Sequence, residues 1–389
     1  AALIEAEAGS VLHARVLGQA APLPPGKAKT LASLPLRHGG FGIIPISRLA
    51  PAAWIASLAA AARFLQDSQF GLNDPAINQT AAQLRQAAPA VAELLPAVED
   101  GEAYPLVFQQ FFTECDEKGA LRHDPTKLQQ AITKPIHDAL HKQLKIDFAT
   151  PFDRCHLEAI ERKLASAWIL ALPADNHTTL RDIELVVAAR HRLDLPLLDN
   201  LPKFCGCGTV LANRDRSHLL TCKRQKGNGH IVRHNALVQI MQTAIIAAGG
   251  DARAEIKGLA VDAADRRRPD LEFEIDGYCS IADVAVIHPA AKSRQAQRKP
   301  ADVAAKAKQD KYADMYGDGK EFSEIVPLIF EAYGGFGDAA RHFVARLADA
   351  ARANGRLYKR AAADIVGRVA VTLQRGNARS VLIAVRRAS

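Results

Sequence analysis

Asp276-Gly277 constrains this chain more than any other pair of its residues. The two-residue turn that best matches the twist of paired strands needs φ > 0 at both central positions, and Asp-Gly adopts that conformation readily. With those residues as the loop, 275 faces 278, 274 faces 279, and Asp270 falls opposite Asp283. Strand alternation then sorts the hairpin into two faces. Leu271, Phe273 and Ile275 share one with Ala282, Val284 and Val286, which makes a core surface. Asp270, Glu272 and Glu274 share the other with Cys279, Ile281 and Asp283.

Carboxylates facing each other across two strands repel. A shared divalent cation would relieve the conflict, since opposed residues carry Cβ atoms roughly 4.5–5.5 Å apart. Mg²⁺ suits such a pair, because it prefers one or two carboxylates plus water and phosphate oxygens. The ion could activate a water and stabilise charge on a scissile phosphate, and a lysine nearby would help position the nucleophile. The bland alternative is a solvated acidic face, which hairpins commonly carry.

The chain has 389 residues, enough for two or three domains. Residues 1–202 read as helical, with apolar residues at helical spacing in "LAPAAWIASLAAAARFL" and "HLEAIERKLASAWILAL". Residues 203–230 break that pattern, being rich in Gly, Asn and basic residues. Residues 231–389 read as helix, strand, strand, strand, helix, strand, with "YKRAAADIVGRVAVTLQ" a further helix on the sheet. The expected fold is therefore α+β: a helical N-terminal half, a small knuckle, then a mixed α/β domain. No apolar run is long enough to span a bilayer. The chain opens on Ala and acidic residues without a secretory pattern, as expected if it begins inside a longer product. Its net charge of +8 points to an anionic partner, most plausibly DNA or RNA.

Of six cysteines, Cys205, Cys207 and Cys222 cluster with His218. Four such ligands in one loop-rich segment suit a tetrahedral structural Zn²⁺, with His230 a replacement ligand. The other reading is reduced cysteines beside an unrelated histidine. Basic residues collect nearby: Lys223, Arg224, Lys226 and Arg233 flank the cluster, with His234 beside them as a further nucleic-acid contact, Arg266, Arg267 and Arg268 lead into Asp270, and Lys292 to Lys299 follow the hairpin. Such residues hold phosphates without reading bases, or simply keep a surface soluble.

Pro269-Asp270, twelve residues, then Asp283 resembles the Pro-Asp…Asp signature of the restriction-like endonuclease that ends the proteins of site-specific non-LTR retrotransposons. That endonuclease belongs to the PD-(D/E)xK superfamily. The surroundings are similar in the same order: "LPLRHGGFGI", "ASAWILALP", "AARHRLDLP", "CGCG…HLLTC" and "RHNAL" before the hairpin, "KQDKY" and "VPLIFEAYGGFG" after it. The resemblance spans approximately residues 31 to 345 and implies a restriction-endonuclease-like domain at 231–389. It implies Asp270 and Asp283 as Mg²⁺ ligands. The superfamily's lysine usually lies two residues after the second acid, where this chain has Ala285. In this family the lysine is thought to come from the next helix, in a Lys-x-x-Lys-Tyr pattern that Lys308, Lys311 and Tyr312 match. The first helix lacks the carboxylate that many members carry there, which leaves Glu255 as its substitute. The family's knuckle spaces its first cysteine pair by two or three residues, whereas one separates Cys205 from Cys207. Nothing here resembles the paired-aspartate polymerase motif found upstream in such elements. The implied activity is DNA nicking that primes reverse transcription, in a nucleus, with an organelle the alternative compartment. Two other readings stay open: a non-catalytic nucleic-acid-binding component of an RNA–protein assembly such as a ribosome, and a decayed retroelement fragment.

Overall fold

The structure, a computed structural model, describes residues 12–18, 26–65, 75–97, 104–119, 121–199, 201–211, 216–222, 224, 229–254, 267–275, 277–317 and 319–386. Glu255, Arg266 and Asp276 lie outside the described residues. The chain forms two compact units. One comprises Ala1–Ser10, Pro24–Pro35 and Gly40–Asp147; the other comprises Val11–Leu23, Leu36–Gly39 and Phe148–Ser389. The boundary expected at 202 falls inside the second unit, because the helices after residue 148 pack with the sheet's own helices.

The first unit is helical: α1 (Lys27–Ala32), α2 (Ile46–Leu65), α3 (Pro75–Ala87), α4 (Tyr104–Thr113) and α5 (Leu128–Asp147). Helical spacing sets its core. Ala52, Ile55, Ala59 and Ala62 of α2 line one stripe, and Leu128, Ile132 and Ile136 of α5 another, around Phe108 and Phe112 of α4.

The second unit contains α6 (Pro151–Glu161), α7 (Ala167–Leu170), α8 (Asp182–Arg192), α9 (Arg216–Thr221) and α10 (Gly229–Ala247). Next come β1 (Asp251–Ala254), β2 (Leu271–Ile275), β3 (Tyr278–Ile287), α11 (Pro300–Lys311) and β4 (Ile325–Glu331). It ends with α12 (Asp338–Ala353) and α13 (Tyr358–Arg386). The sheet order is β1-β2-β3-β4, antiparallel between β1 and β2 and between β2 and β3, parallel between β3 and β4. With 59% helix and this small mixed sheet, the fold is α+β.

The hairpin register runs from Ile275↔Tyr278 to Leu271↔Ala282, which leaves a two-residue loop with Gly277 at φ 78°. Leu271, Phe273, Ile275, Ala282 and Val284 enter the main core with Leu237 and Met241 of α10, Phe343 and Leu347 of α12 and Val369 of α13. The opposite face is not wholly polar. Ile281 is fully buried there against Tyr312, Phe322 and Ile325. Farther along β3, Ile287 packs with Ala301 of α11 and Ile329 of β4. Helices α10, α12 and α13 therefore cover one face of the sheet and α11 the other. Among the described residues, no helix is long and apolar enough to cross a membrane.

Candidate active site and metal centre

Strand β3 carries the chemistry because it is central in the sheet and extends past the end of β2. Pairing stops at Leu271↔Ala282, and the Asp270 N–H closes on Ala282 O at 3.0 Å. Beyond that point the β2-facing peptide groups of Val284 lack a strand partner. The Asp270 side chain fills the gap: Oδ2 accepts the Val284 N–H at 2.6 Å. His234, on α10, completes it, with Nε2 lying 3.1 Å from Asp270 Oδ2 and 3.2 Å from Val284 O. Its hydrogen bond to Asp270 holds the His234 imidazole above its ordinary pKa, against the opposite pull of burial.

Asp283 is buried at 3% exposure and faces α11. Lys308 Nζ donates to its Oδ1, and Tyr312 Oη donates to its Oδ2 at 2.6 Å and also reaches Arg268 O at 2.9 Å. Lys311 Nζ stands 3.7 Å from Oδ2 and donates to Tyr312 Oη at 2.6 Å. Burial first, then the hydrogen bond to Asp283, pushes the Tyr312 phenol far above its ordinary pKa, so it remains a proton donor. Ala285 lies two residues along on this strand face and packs against the cluster of Ile287, Ala301 of α11 and Ile329. The amine that reaches Asp283 comes from the helix instead.

These contacts correct one expectation. Repulsion between Asp270 and Asp283 does not by itself demand an ion, because each carboxylate is met by protein donors: Asp283 by Lys308 and Tyr312, Asp270 by His234 and a peptide N–H. What the site offers a cation is two carboxylates beside the carbonyl oxygen of Val284.

The other expected contacts divide. Arg267 is tied bidentately to Asp314, Nη1–Oδ1 and Nη2–Oδ2 both 2.6 Å, and pins the approach to Asp270 against the end of α11. Arg268 is exposed. Arg233 was expected at the nucleic acid but is only 4% exposed. Its terminal nitrogens are engaged by Asn377 Oδ1 at 2.6 Å and Leu220 O at 3.0 Å, which leaves no fork for a phosphate at the hairpin. Sequence reasoning grouped His234 with the nucleic-acid contacts and named Tyr312 in the lysine pattern without giving it a role at the carboxylates. Both join it through helices 36 and 29 residues distant from their carboxylate partners.

The second cluster is Cys205, Cys207, His218 and Cys222, whose ligand atoms all lie within 4.8 Å of one another. A tight turn builds it: Cys205 N–H donates to Thr209 O and Gly208 N–H to Cys205 O, both at 2.8 Å, and α9 brings in His218 and Cys222. Cys205 and Cys222 Sγ atoms are 3.7 Å apart, and Cys207 Sγ is 3.2 Å from His218 Nε2. Two thiolates bound tetrahedrally at Zn–S of about 2.3 Å sit roughly 3.8 Å apart, so the donor set fits zinc despite the single residue between the first two cysteines. His218 rather than His230 is the fourth member of the group. Thr209 hydrogen bonds pull the Cys207 thiol down to about 6, while burial pushes Cys222 up to about 11. Among the described residues, this is the one group of three or more such side chains able to hold a metal ion.

No family model matches this chain, and no curated protein matches it.

Proposed function

We propose that the chain is a Mg²⁺-dependent DNA endonuclease that nicks its target as the C-terminal part of a retroelement protein, with a zinc-stabilised knuckle. The observation that carries this reading is the joining of three separated pieces of sequence, the start of β2, the middle of β3 and the C-terminal half of α11, around Asp270, Asp283 and Lys308. Mg²⁺ bound here would supply Lewis-acid stabilisation of a scissile phosphate and a more acidic water. Asp270, Asp283 and Val284 O would hold it, all hard oxygen donors. Lys308 and Lys311 would place positive charge where a pentavalent phosphate gains negative charge. Tyr312 fixes the Asp283 carboxylate by donating to one of its oxygens. Arg267 keeps the segment before Asp270 in place through Asp314.

Supercoiled plasmid with Mg²⁺ tests the reading. The wild-type chain should convert it to open circles, and Asp270→Ala and Asp283→Ala should each lower the rate by at least a hundredfold. Equal nicking by all three chains would remove the site.

A second reading has its own observation. Because both carboxylates are already met by donors from the protein, the cluster is a complete polar tie without any ion. A non-catalytic nucleic-acid-binding component of an RNA–protein assembly would keep it for that purpose. Absence of nicking combined with tight RNA binding selects this reading. A nuclear location accompanies the first reading only.

A further inference from the structure

We propose that the cleft between α10, α13 and the segment entering α8 binds a phosphate group. The cleft measures about 500 Å³, within the size range of small-ligand sites, and lies across α10 from His234. Its walls carry Arg181, Arg233, Arg375 and Arg379 against one carboxylate, Glu184. That carboxylate is 1% exposed and already shared: Arg181 Nη2 lies 2.6 Å from Oε1, and Arg375 Nε 3.5 Å from Oε2. Four guanidiniums facing one carboxylate leave an excess of three positive charges.

Arg233 makes the excess hard to read as ordinary surface charge. It is buried, its hydrogen bonds go to an amide oxygen and a peptide carbonyl, and no carboxylate pairs with it among the described residues. Its Nε has no hydrogen-bond partner among them. The helices come together to accommodate it, since a Cβ on Gly376 of α13 would lie 2.4 Å from Arg233 Cγ. Burying an unpaired guanidinium carries a desolvation cost that an apolar residue would not incur at the same crossing. Burial pulls Arg233 down to about 10, so the side chain stays charged at neutral pH. An anion in the cleft compensates that charge. Phosphate fits better than a lone carboxylate by its charge. Arg379 is the arginine left to donate to it, while Arg233, Arg181 and Arg375, whose nitrogens are largely engaged within the protein, add positive field. Gln239 adds a neutral hydrogen-bonding wall.

Arg379 is the lever, being exposed and making no ion pair among the described residues. The comparison is Arg379→Glu against Lys359→Glu, an equal charge change on an exposed lysine twenty residues earlier in α13, about 30 Å away. Two probes separate the phosphate sources: anisotropy of a labelled single-stranded oligonucleotide, and the rise in melting temperature produced by inorganic phosphate. Should Arg379→Glu fold poorly by circular dichroism, Arg379→Gln replaces it. The expected result is at least tenfold weaker binding than in the Lys359→Glu chain. For a single strand, the slope of log affinity against log salt also falls by about 0.7 for each phosphate that is no longer neutralised. Loss of oligonucleotide binding assigns the cleft to a nucleic-acid backbone. Loss of the phosphate effect alone assigns it to a free phosphate or mononucleotide. Arg379 variants that match Lys359→Glu with both probes overturn the proposal. The inference does not depend on the endonuclease reading, because the residues lining the cleft include neither carboxylate nor either lysine of that site.

Discussion

Glu331 shows what one buried carboxylate does to the pH behaviour of the fold. It ends β4 at 1% exposure, with Oε1 paired to Arg162 and Oε2 lacking a hydrogen-bond partner among the described residues. Burial outweighs the pull of Arg162 and pushes its pKa up to about 7. A carboxyl whose folded pKa exceeds its unfolded value binds more protons when folded. Its stabilising contribution is therefore complete below about 4.5 and lost as pH rises through 7. The gap from 4.5 to about 7 corresponds to roughly 3 kcal/mol. His288 acts in the opposite sense. Burial and neighbouring positive charge hold it down at about 3, so it costs stability as pH falls from 6.5 toward that value. The two effects oppose each other between about 4.5 and 6.5. Glu331→Gln removes one of them. The stability of wild type minus that of Glu331→Gln should fall steadily from pH 4.5 to 7.5, by up to about 3 kcal/mol in urea titrations. A pH-independent difference would show that Glu331 does not titrate in this range.

At the scale of elements, legibility followed local chemistry and stopped where tertiary packing took over. The Asp-Gly turn and strand alternation were enough to read the hairpin's pairing from Ile275↔Tyr278 to Leu271↔Ala282. Helix α12 went unread although Ala340, Phe343, Val344, Leu347, Ala348 and Ala351 recur at helical spacing, all of them buried. Helix α13 was read as far as Gln374 but runs to Arg386. Beyond Gln374 its buried face carries Gly376, Asn377 and Ser380, which no apolar pattern marks, because that face receives α10 and the Arg233 guanidinium. The carboxylates and lysines of the candidate site were readable as motifs. That Tyr312 and His234 would engage those carboxylates depended on where α11 and α10 dock, which spacing does not reveal. Gly376→Ala measures that docking. Its new methyl would meet Arg233 Cγ at 2.4 Å and Cβ at 2.6 Å, a stem whose guanidinium is fixed at both terminal nitrogens. Alanine's better helix propensity returns up to about 1 kcal/mol, while overpacking costs about 1–3 kcal/mol, so a net loss near 1–2 kcal/mol is expected by urea unfolding. A more stable variant would mean that the crossing is loose.

Across the second unit, the cysteine cluster belongs to the packing as well as to the knuckle. Cys205 and Cys222 share a buried cluster with Leu197 and Leu198, with Leu219 and Leu220 of α9, and with Ala378, Val381 and Ala384 of α13. A metal ion there would fix a segment with little apolar mass of its own against the last turns of the longest helix. Its binding energy would become folding energy for that region. Zinc uptake displaces protons from the thiols, so affinity rises with pH. The purified chain should contain one zinc per molecule by mass spectrometry, and Cys205→Ser or a strong chelator should remove it. Metal loss should lower the melting temperature and raise amide exchange in 201–222 and 376–386. The strands at 271–287 should keep their protection, because their core is built from α10, α12 and the Val369 end of α13, away from the cysteines. If exchange instead rose uniformly, the ion would be holding the whole unit together. If chelation changed neither exchange nor melting, the four side chains would be ordinary thiols beside a histidine, and the knuckle would owe its shape to the Cys205–Thr209 turn alone.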